Sequence, residues 1–218
     1  STLHATAAGE LADVRLQLGP AHDSVVLREA LAVAELKTAL YSFQLPLRAG
    51  ALLADASPAV LDALDEIGSL LGIGFQLFDD LLGVFGDESR TGKSALGDLR
   101  EGKRTALIAH ASTTDVWSAL QPLLGREDLC EADVRRARDL LTSGGSRAWV
   151  EDLARRHVTS AAEAAARHDL PPGLAVSLDL ATAEILRAAD LTLPTAVPTD
   201  AAPARRRAER RSEQGLPA

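Results

Sequence analysis

The polar residues with the clearest chemical meaning sit in one strongly apolar run. From Leu70 to Phe85 nearly every residue is apolar or glycine, and the exceptions are Gln76, Asp79 and Asp80. At about 100° per residue, Gln76, Asp79, Asp80 and Gly83 fall on one helical arc, which extends backwards through Asp65, Gly68, Ser69 and Gly72. A helix that is apolar over the rest of its circumference belongs in the centre of a bundle. Two uncompensated carboxylates there would cost roughly several kcal/mol each. A basic side chain, a shared proton or a bound cation could offset that cost. Magnesium suits the third case, because it takes carboxylate oxygens, keeps several waters and bridges to substrate phosphates. The plainer alternative is a solvated helix end. Gly68, Ser69 and Gly72 either leave room beside the stripe for a ligand chain or permit close helix packing.

Basic groups that could meet a phosphate follow in GDESRTGKSALGDLREGKRT (86–105), which holds Lys93, Lys103 and Arg104. A glycine precedes each lysine, so the backbone there can approach a ligand closely. This is no Walker A motif: five residues separate Gly86 from Gly92-Lys93-Ser94, where the motif needs G-x-x-x-x-G-K-[ST]. Lys37-Thr38 lies within AELKTALYSF (34–43), among apolar neighbours. Lys37 either serves a site or snorkels to solvent.

These residues need helices to hold them. Ala and Leu dominate and no run of strict alternation is present, so the expected class is all-α. Breaks at Gly19-Pro20, Ser57-Pro58, Gly86, Gly144-Gly145 and Pro171-Pro172-Gly173 bound helices at 2–18, 24–54, 58–85, 104–111, 114–124, 131–143, 146–168 and 173–190. Ser57 reads as an N-cap with Pro58 in the first turn. Residues 86–103 read as a loop. From about Thr192 the chain turns Pro- and Arg-rich, which predicts a disordered tail over 192–218. Its five arginines outnumber Asp200, Glu209 and Glu213, so residues 1–191 carry -10 against the -8 of the whole chain.

Composition excludes several functions. The single Cys130 rules out a disulfide framework or a cysteine zinc cluster, and the five histidines show no i, i+4 pairing. Aromatics at 3% and an acidic balance argue against nucleic-acid binding. No apolar run reaches the roughly 18 residues a membrane span needs, and no signal peptide is evident. The cytoplasm is the expected compartment. Glu10 and Asp13 read as structural or interfacial, Trp117 and Trp149 as core or interface.

FQLFDDLLGVFGDESRTGKSALGDLREGKRT resembles the second aspartate-rich region of the trans-isoprenyl diphosphate synthases, the polyprenyl synthetase family. ELKTALYSFQLPLRAGALLA resembles that family's Lys-Thr segment. AGELADVRLQL resembles its G-Q-x-x-D-L segment, with Glu10 where Gln is usual. The DDLLGVFGD wording is closest in style to actinobacterial geranylgeranyl diphosphate synthases. The resemblance implies a helical bundle of the isoprenoid synthase type, usually a homodimer. It also implies a magnesium-dependent condensation of isopentenyl diphosphate with an allylic diphosphate, to a farnesyl- or geranylgeranyl-type product. Carried onto this chain, Asp79 and Asp80 become magnesium ligands. Lys37 and Lys93 contact the allylic diphosphate, Thr38 lies near the reacting carbon, Gln76 faces the cavity, and Lys103 helps close the site. Asp98 orients Lys93 or a metal-bound water.

The chain departs from the pattern twice. The motif D-D-x-x-D is here D-D-L-L-G, with Gly83 in the last position. The first aspartate-rich motif and the basic residues for isopentenyl diphosphate are not found within 1–218, and the chain contains no Met. The expectation is therefore a synthase domain over 1–191 that lacks its N-terminal helices, leaves apolar surface exposed and is inactive alone. Magnesium-dependent product from the purified chain would refute the last point. The alternatives are a non-catalytic, synthase-like subunit that modulates a full-length partner, or a terpene cyclase. The cyclase reading is disfavoured by the absence of N-x-x-x-S-x-x-x-E and by the lysines at 37 and 93.

Overall fold

The computed structural model describes residues 2–18, 27–86 and 97–193. Among these, every regular element is helical, as the sequence predicts. The elements are α1 (Thr2–Leu18), α2 (Leu27–Ala34), a π-helical segment (Glu35–Gln44), α3 (Leu45–Leu53) and α4 (Pro58–Phe85). There follow α5 (Gly97–Glu101), α6 (Ala106–Ala111), α7 (Trp117–Leu120), a 3₁₀ turn (Gln121–Leu123), α8 (Glu131–Ser143), α9 (Ser146–Arg167) and α10 (Pro172–Thr192).

Helix α4 is the axis. Its start is as the sequence dictates: the Ser57 hydroxyl accepts from Val60 N, and Pro58 sits in the first turn. Its end is held by Arg138 of α8, whose Nε donates to Val84 O at 2.6 Å. Such a contact satisfies a terminal carbonyl and complements the helix dipole. One side of α4 packs against the π-helical segment and the other against α9. Leu64, Ile67, Leu71, Leu77 and Leu81 are buried along it, facing Val150, Ala154 and Val158 of α9 and Leu107 of α6 in one continuous core.

Packing decides the role of the small residues on the stripe. A Cβ at Gly72 would overlap Ala39 Cα, lie 2.5 Å from Ala39 Cβ and 3.1 Å from Phe43 Cδ2. At Gly68 it would lie 3.0 Å from Gln44 Cα. These glycines therefore admit the backbone of the π-helical segment and leave no trough for a ligand chain. Close packing is the reading that stands.

Three expectations on secondary structure need correction. The single helix predicted over 24–54 is split by π-helical geometry, with Leu45 N bonding to Leu40 O. This wider winding is a register change that apolar periodicity does not reveal. Within the predicted loop 86–103, residues 97–101 form α5, because Leu99 is buried in the core and anchors the turn. Helix α10 continues to Thr192, and Leu193 is buried, so the predicted tail cannot begin at 192. Residues 194–218 lie outside the described residues.

The membrane expectation is corrected as well. Among the described residues, α4 is long and apolar enough to cross a membrane by length and composition, with a mean hydropathy of 1.4 in its best window. Asp79 and Asp80 do not lower that average enough to exclude it. More than half of the window is buried inside the bundle (56%), which makes α4 a core helix. Exposed large apolar side chains include Phe75 of α4 itself, Leu11 and Val14 of α1, Tyr41 of the π-helical segment, Leu52 and Leu53 of α3, and Val176, Leu180 and Leu191 of α10.

Candidate functional site

The stripe on α4 opens onto a cavity of about 260 Å³. Gln76, Asp79, Asp80 and Gly83 line it from α4, and Lys37 reaches it from the π-helical segment. Asp98 of α5 and the following Lys103, Arg104 and Thr105 close the far side, while Asp13 of α1 and Ala34 of α2 complete the rim. Residues nearly a hundred positions apart thus meet around one space. Lys93 lies outside the described residues.

A hydrogen-bonded relay ties the Lys-Thr segment to the carboxylates. Thr38 Oγ1 donates to Gln76 Oε1 at 2.5 Å, and Gln76 Nε2 donates to Asp80 Oδ1 at 2.8 Å. The relay fixes the orientation of the Gln76 amide. The i, i+4 spacing of Gln76 and Asp80 brings their side chains together on one helix face.

Asp80 lies deep among protein atoms yet keeps some surface. Burial pushes its carboxyl up to about 7, the Gln76 hydrogen bond opposes this, and the charges of Asp98 and Asp79 add to it against Lys103. A carboxyl this unwilling to ionise is under-compensated by its protein neighbours. Lys103 pairs with Asp98 and lies 3.6 Å from Glu101. Burial pulls the Lys103 ammonium down, but the Asp98 bond and the Asp98, Glu101 and Asp80 charges outweigh it and hold it above its ordinary value.

Lys37 has partners the sequence did not suggest. Its Nζ lies 2.7 Å from Asp13 Oδ2 and 3.3 Å from Glu10 Oε2. Burial alone would lower Lys37, but the bonds and charges of Asp13 and Glu10 raise it overall. Glu10 and Asp13, read as structural or interfacial, both form ion pairs with Lys37, and Asp13 also lines the cavity. The available signal was the i, i+3 spacing of two acids on α1, which puts both on one face.

Asp98 is the other residue whose place needed the fold. Helix α5 is pinned by buried Leu99, by Gly125 N bonding to Leu99 O at 2.9 Å and by Arg100 Nη2 bonding to Leu129 O at 2.8 Å. The turn that follows uses Gly102 at φ +65° and returns Lys103 N to Asp98 O at 3.0 Å. Asp98 is thereby aimed at Gly83, and its partner among the described residues is Lys103.

The donor set fits a hard divalent cation. Carboxylate oxygens of Asp79 and Asp80 border a cavity of a size to take water and a small ligand, and Asp80 is only partly compensated by Gln76 and Lys103. No three His, Cys, Asp or Glu among the described residues form a self-sufficient cage. Magnesium is commonly held this way, by one or two carboxylates with water and substrate phosphate in the remaining positions.

Comparison with known proteins identifies the family and the fold. A family model described as polyprenyl synthetase matches residues 1–141. The chain is 35% identical over 182 residues to the (2E,6E)-farnesyl diphosphate synthase of Mycobacterium tuberculosis, a match covering 79% of this chain and 49% of that protein. It is 35% identical over 117 residues to the geranylgeranyl diphosphate synthase of Saccharolobus solfataricus, covering 52% and 35%. Among solved structures, the geranylgeranyl pyrophosphate synthase of Corynebacterium glutamicum, complexed with isoprenyl diphosphate and magnesium, superposes with a TM-score of 0.75. The identity is 31%, covering 83% of this chain and 51% of that one. The polyprenyl synthetase of Streptomyces coelicolor gives 0.76 at 27% identity, covering 84% and 56%. The chain spans about half the length, or less, of the curated relatives it matches.

Proposed function

Because this chain belongs to the polyprenyl synthetase family, we propose that it carries the allylic-diphosphate side of a prenyltransferase site, one that joins isopentenyl diphosphate to an allylic diphosphate. The observation that carries the reading is the convergence of Lys37, Gln76, Asp79, Asp80 and Lys103 on one cavity. In the reaction, the allylic C1–O bond breaks and its electron pair leaves with diphosphate. The isopentenyl double bond attacks C1, and a proton is lost to restore an alkene. Farnesyl- or geranylgeranyl-type chains are the products this reading assigns.

Asp79 and Asp80 would hold magnesium, which when bound supplies positive charge to the departing diphosphate. The chain's own residues do the rest. Lys37 and Lys103 present ammonium groups to the diphosphate oxygens, with Lys93 as a further candidate. Such preformed charge costs no reorganisation as the negative charge develops. Gln76 is locked by Thr38 and Asp80, so its amide dipole faces the cavity in a fixed direction. Thr38 stands behind it, close to where the reacting carbon would lie. The likeness to a synthase solved with isoprenyl diphosphate and magnesium supports the diphosphate and magnesium part of the reading, and cytoplasmic location and homodimeric assembly are proposed with it.

Titration calorimetry with geranyl diphosphate tests the proposal. The expected result is binding by the 218-residue chain that requires magnesium and falls at least tenfold in Asp80→Ala and in Lys37→Ala. Binding indifferent to magnesium and to both substitutions overturns it.

A further inference from the structure

The π-helical segment is the middle of a longer helix. The backbone is right-handed helical at Ala34, Gln44 and Leu45, so α2, the π-helical segment and α3 run on without a break. Winding of this kind is rare, is mostly limited to a single turn, and recurs at functional sites. Its register shows against α4. Gly68 and Gly72 are four residues apart, yet they face Gln44 and Ala39, which are five apart. In an α-helix residues five apart point about 140° away from each other. Both can meet α4 because the turn between them is wide. The far end of the segment is pinned: Gln44 Nε2 donates to Asp65 O at 2.8 Å, and the Phe43 ring centroid lies 5.6 Å from that of Phe75.

A local cause stands just beyond. Pro46 lies in the first turn of α3. Proline has no N–H to donate, and its ring collides with the carbonyl four residues back in an α-helix, here that of Ser42. The neighbouring Leu45 N reaches past that position to Leu40 O, five residues back. Pro46 itself is exposed and sits about two turns along from Thr38.

We propose that Pro46 is a positioning residue for Lys37 and Thr38. By forbidding α-helical winding before it, Pro46 sets the one-residue register that puts Thr38 on Gln76 and Lys37 on Asp13. This rests on the reading that Lys37 and Thr38 serve the diphosphate site. With Gln44 held on α4, an α winding brings Leu40 to where Ala39 stands and Ala39 to where Thr38 stands. The Thr38 hydroxyl then leaves Gln76, and the Lys37 ammonium turns away from α1. Leu40 would also press on Gly72, where Ala39 already leaves no room for one more carbon. The α register therefore opens the contact with α4 as well.

The test is a double-mutant cycle between Pro46→Ala and Thr38→Val, which keeps the side-chain shape and removes the hydroxyl. Thermal midpoint and magnesium-dependent binding of geranyl diphosphate are read on the 218-residue chain, with helical circular dichroism on every variant. In wild type, Thr38→Val is expected to lower the midpoint by about 2–4 °C, as loss of one hydrogen bond does in a chain of this size. In the Pro46→Ala background it is expected to change the midpoint by less than about 1 °C, because the bond is already absent. Pro46→Ala alone is expected to keep its helicity and to bind geranyl diphosphate about tenfold or more weakly, as loss of a contact to a charged group does. Should it lose helicity, Pro46→Ser takes its place with the same expectations. Additive midpoints overturn the inference, and so does wild-type affinity in Pro46→Ala; either result leaves the function above standing. Coupled midpoints with no geranyl diphosphate binding by the wild-type chain keep Pro46 as the source of the register and overturn that function.

Discussion

Lys37 Nζ stands 2.7 Å from an oxygen of Asp13, a residue 24 positions earlier on a separate helix. With Glu10 at 3.3 Å, the cation assigned to a diphosphate is already satisfied by α1. An incoming diphosphate must compete with two carboxylates for one ammonium. Glu10 occupies the position where the family's segment usually has Gln.

That competition sets the first prediction. Glu10→Gln should tighten binding of inorganic diphosphate by about 1.5–5-fold, the range expected when a partly exposed ion pair worth about 0.2–1 kcal/mol is removed. Fluorescence-detected or calorimetric titration at low salt reads the change. Weaker binding in this variant would mean that Glu10 supports the site rather than restraining Lys37.

Gln76 joins Thr38 to Asp80, so its removal should be felt at both ends. Gln76→Leu keeps comparable bulk but leaves the Thr38 hydroxyl without its acceptor and Asp80 without its donor. The expected cost is about 1–3 kcal/mol. It should appear as a drop of several degrees in thermal midpoint, with the Asp80 carboxyl moving further up. An unchanged midpoint would show that the relay contributes nothing to stability.

Asp80 predicts a specific pH dependence. Its carboxyl titrates near 7 when folded, against 3.8 as the ordinary value, because it is buried beside Asp98 and Asp79, with Gln76 and Lys103 compensating only in part. The folded chain therefore binds the proton more tightly than the unfolded chain, and this group's contribution to stability declines as pH rises from about 4 to about 7. Asp80→Asn removes that decline. It should match wild type near pH 4 and exceed it above pH 7 by up to a few kcal/mol, on the order of 1.4 kcal/mol per unit of displacement. Magnesium should narrow the gap above pH 7 by binding the ionised wild-type carboxylate. Parallel pH-stability curves for the two proteins, without metal, would contradict this.

Gly72→Ala tests the contact between α4 and the π-helical segment. Alanine favours an isolated helix by about 1 kcal/mol over glycine. Here the added methyl meets the Ala39 backbone, which cannot swing aside as a side-chain tip can. Overpacking of this kind costs about 1–3 kcal/mol, so the prediction is a net loss of stability in urea denaturation. Gly50→Ala serves as the control, because nothing lies within 4 Å of its added methyl. A Gly72→Ala chain more stable than wild type would place the two helices further apart than described.

Several features were legible because they depend on neighbours along the chain. Ser57-Pro58 announces the start of α4, and Gly86 its end. The apolar run around Gln76, Asp79 and Asp80 announces a central helix with a polar stripe. The wording of that stripe and of Lys37-Thr38 is distinctive enough to identify the family. What misled was also local. Residues 97–101 carry loop-like composition, and only the burial of Leu99 turns them into a helix. The small residues on the stripe look equally suited to a ligand or to a close neighbour.

The sequence by itself determined the helical class, the axis helix and the types of residue brought to the site, since each follows from periodicity, capping chemistry and short motifs. Tertiary structure alone decided who meets whom. It gave Lys37 to Asp13 and Glu10, joined Thr38 to Asp80 through Gln76, closed the glycine stripe against the π-helical segment, and set Asp98 in the space left by Gly83. Those relationships span 15 to 42 positions along the chain. They arise from how helices dock, and docking is governed by the burial of complementary surfaces, a property of the packed bundle that no window of sequence contains.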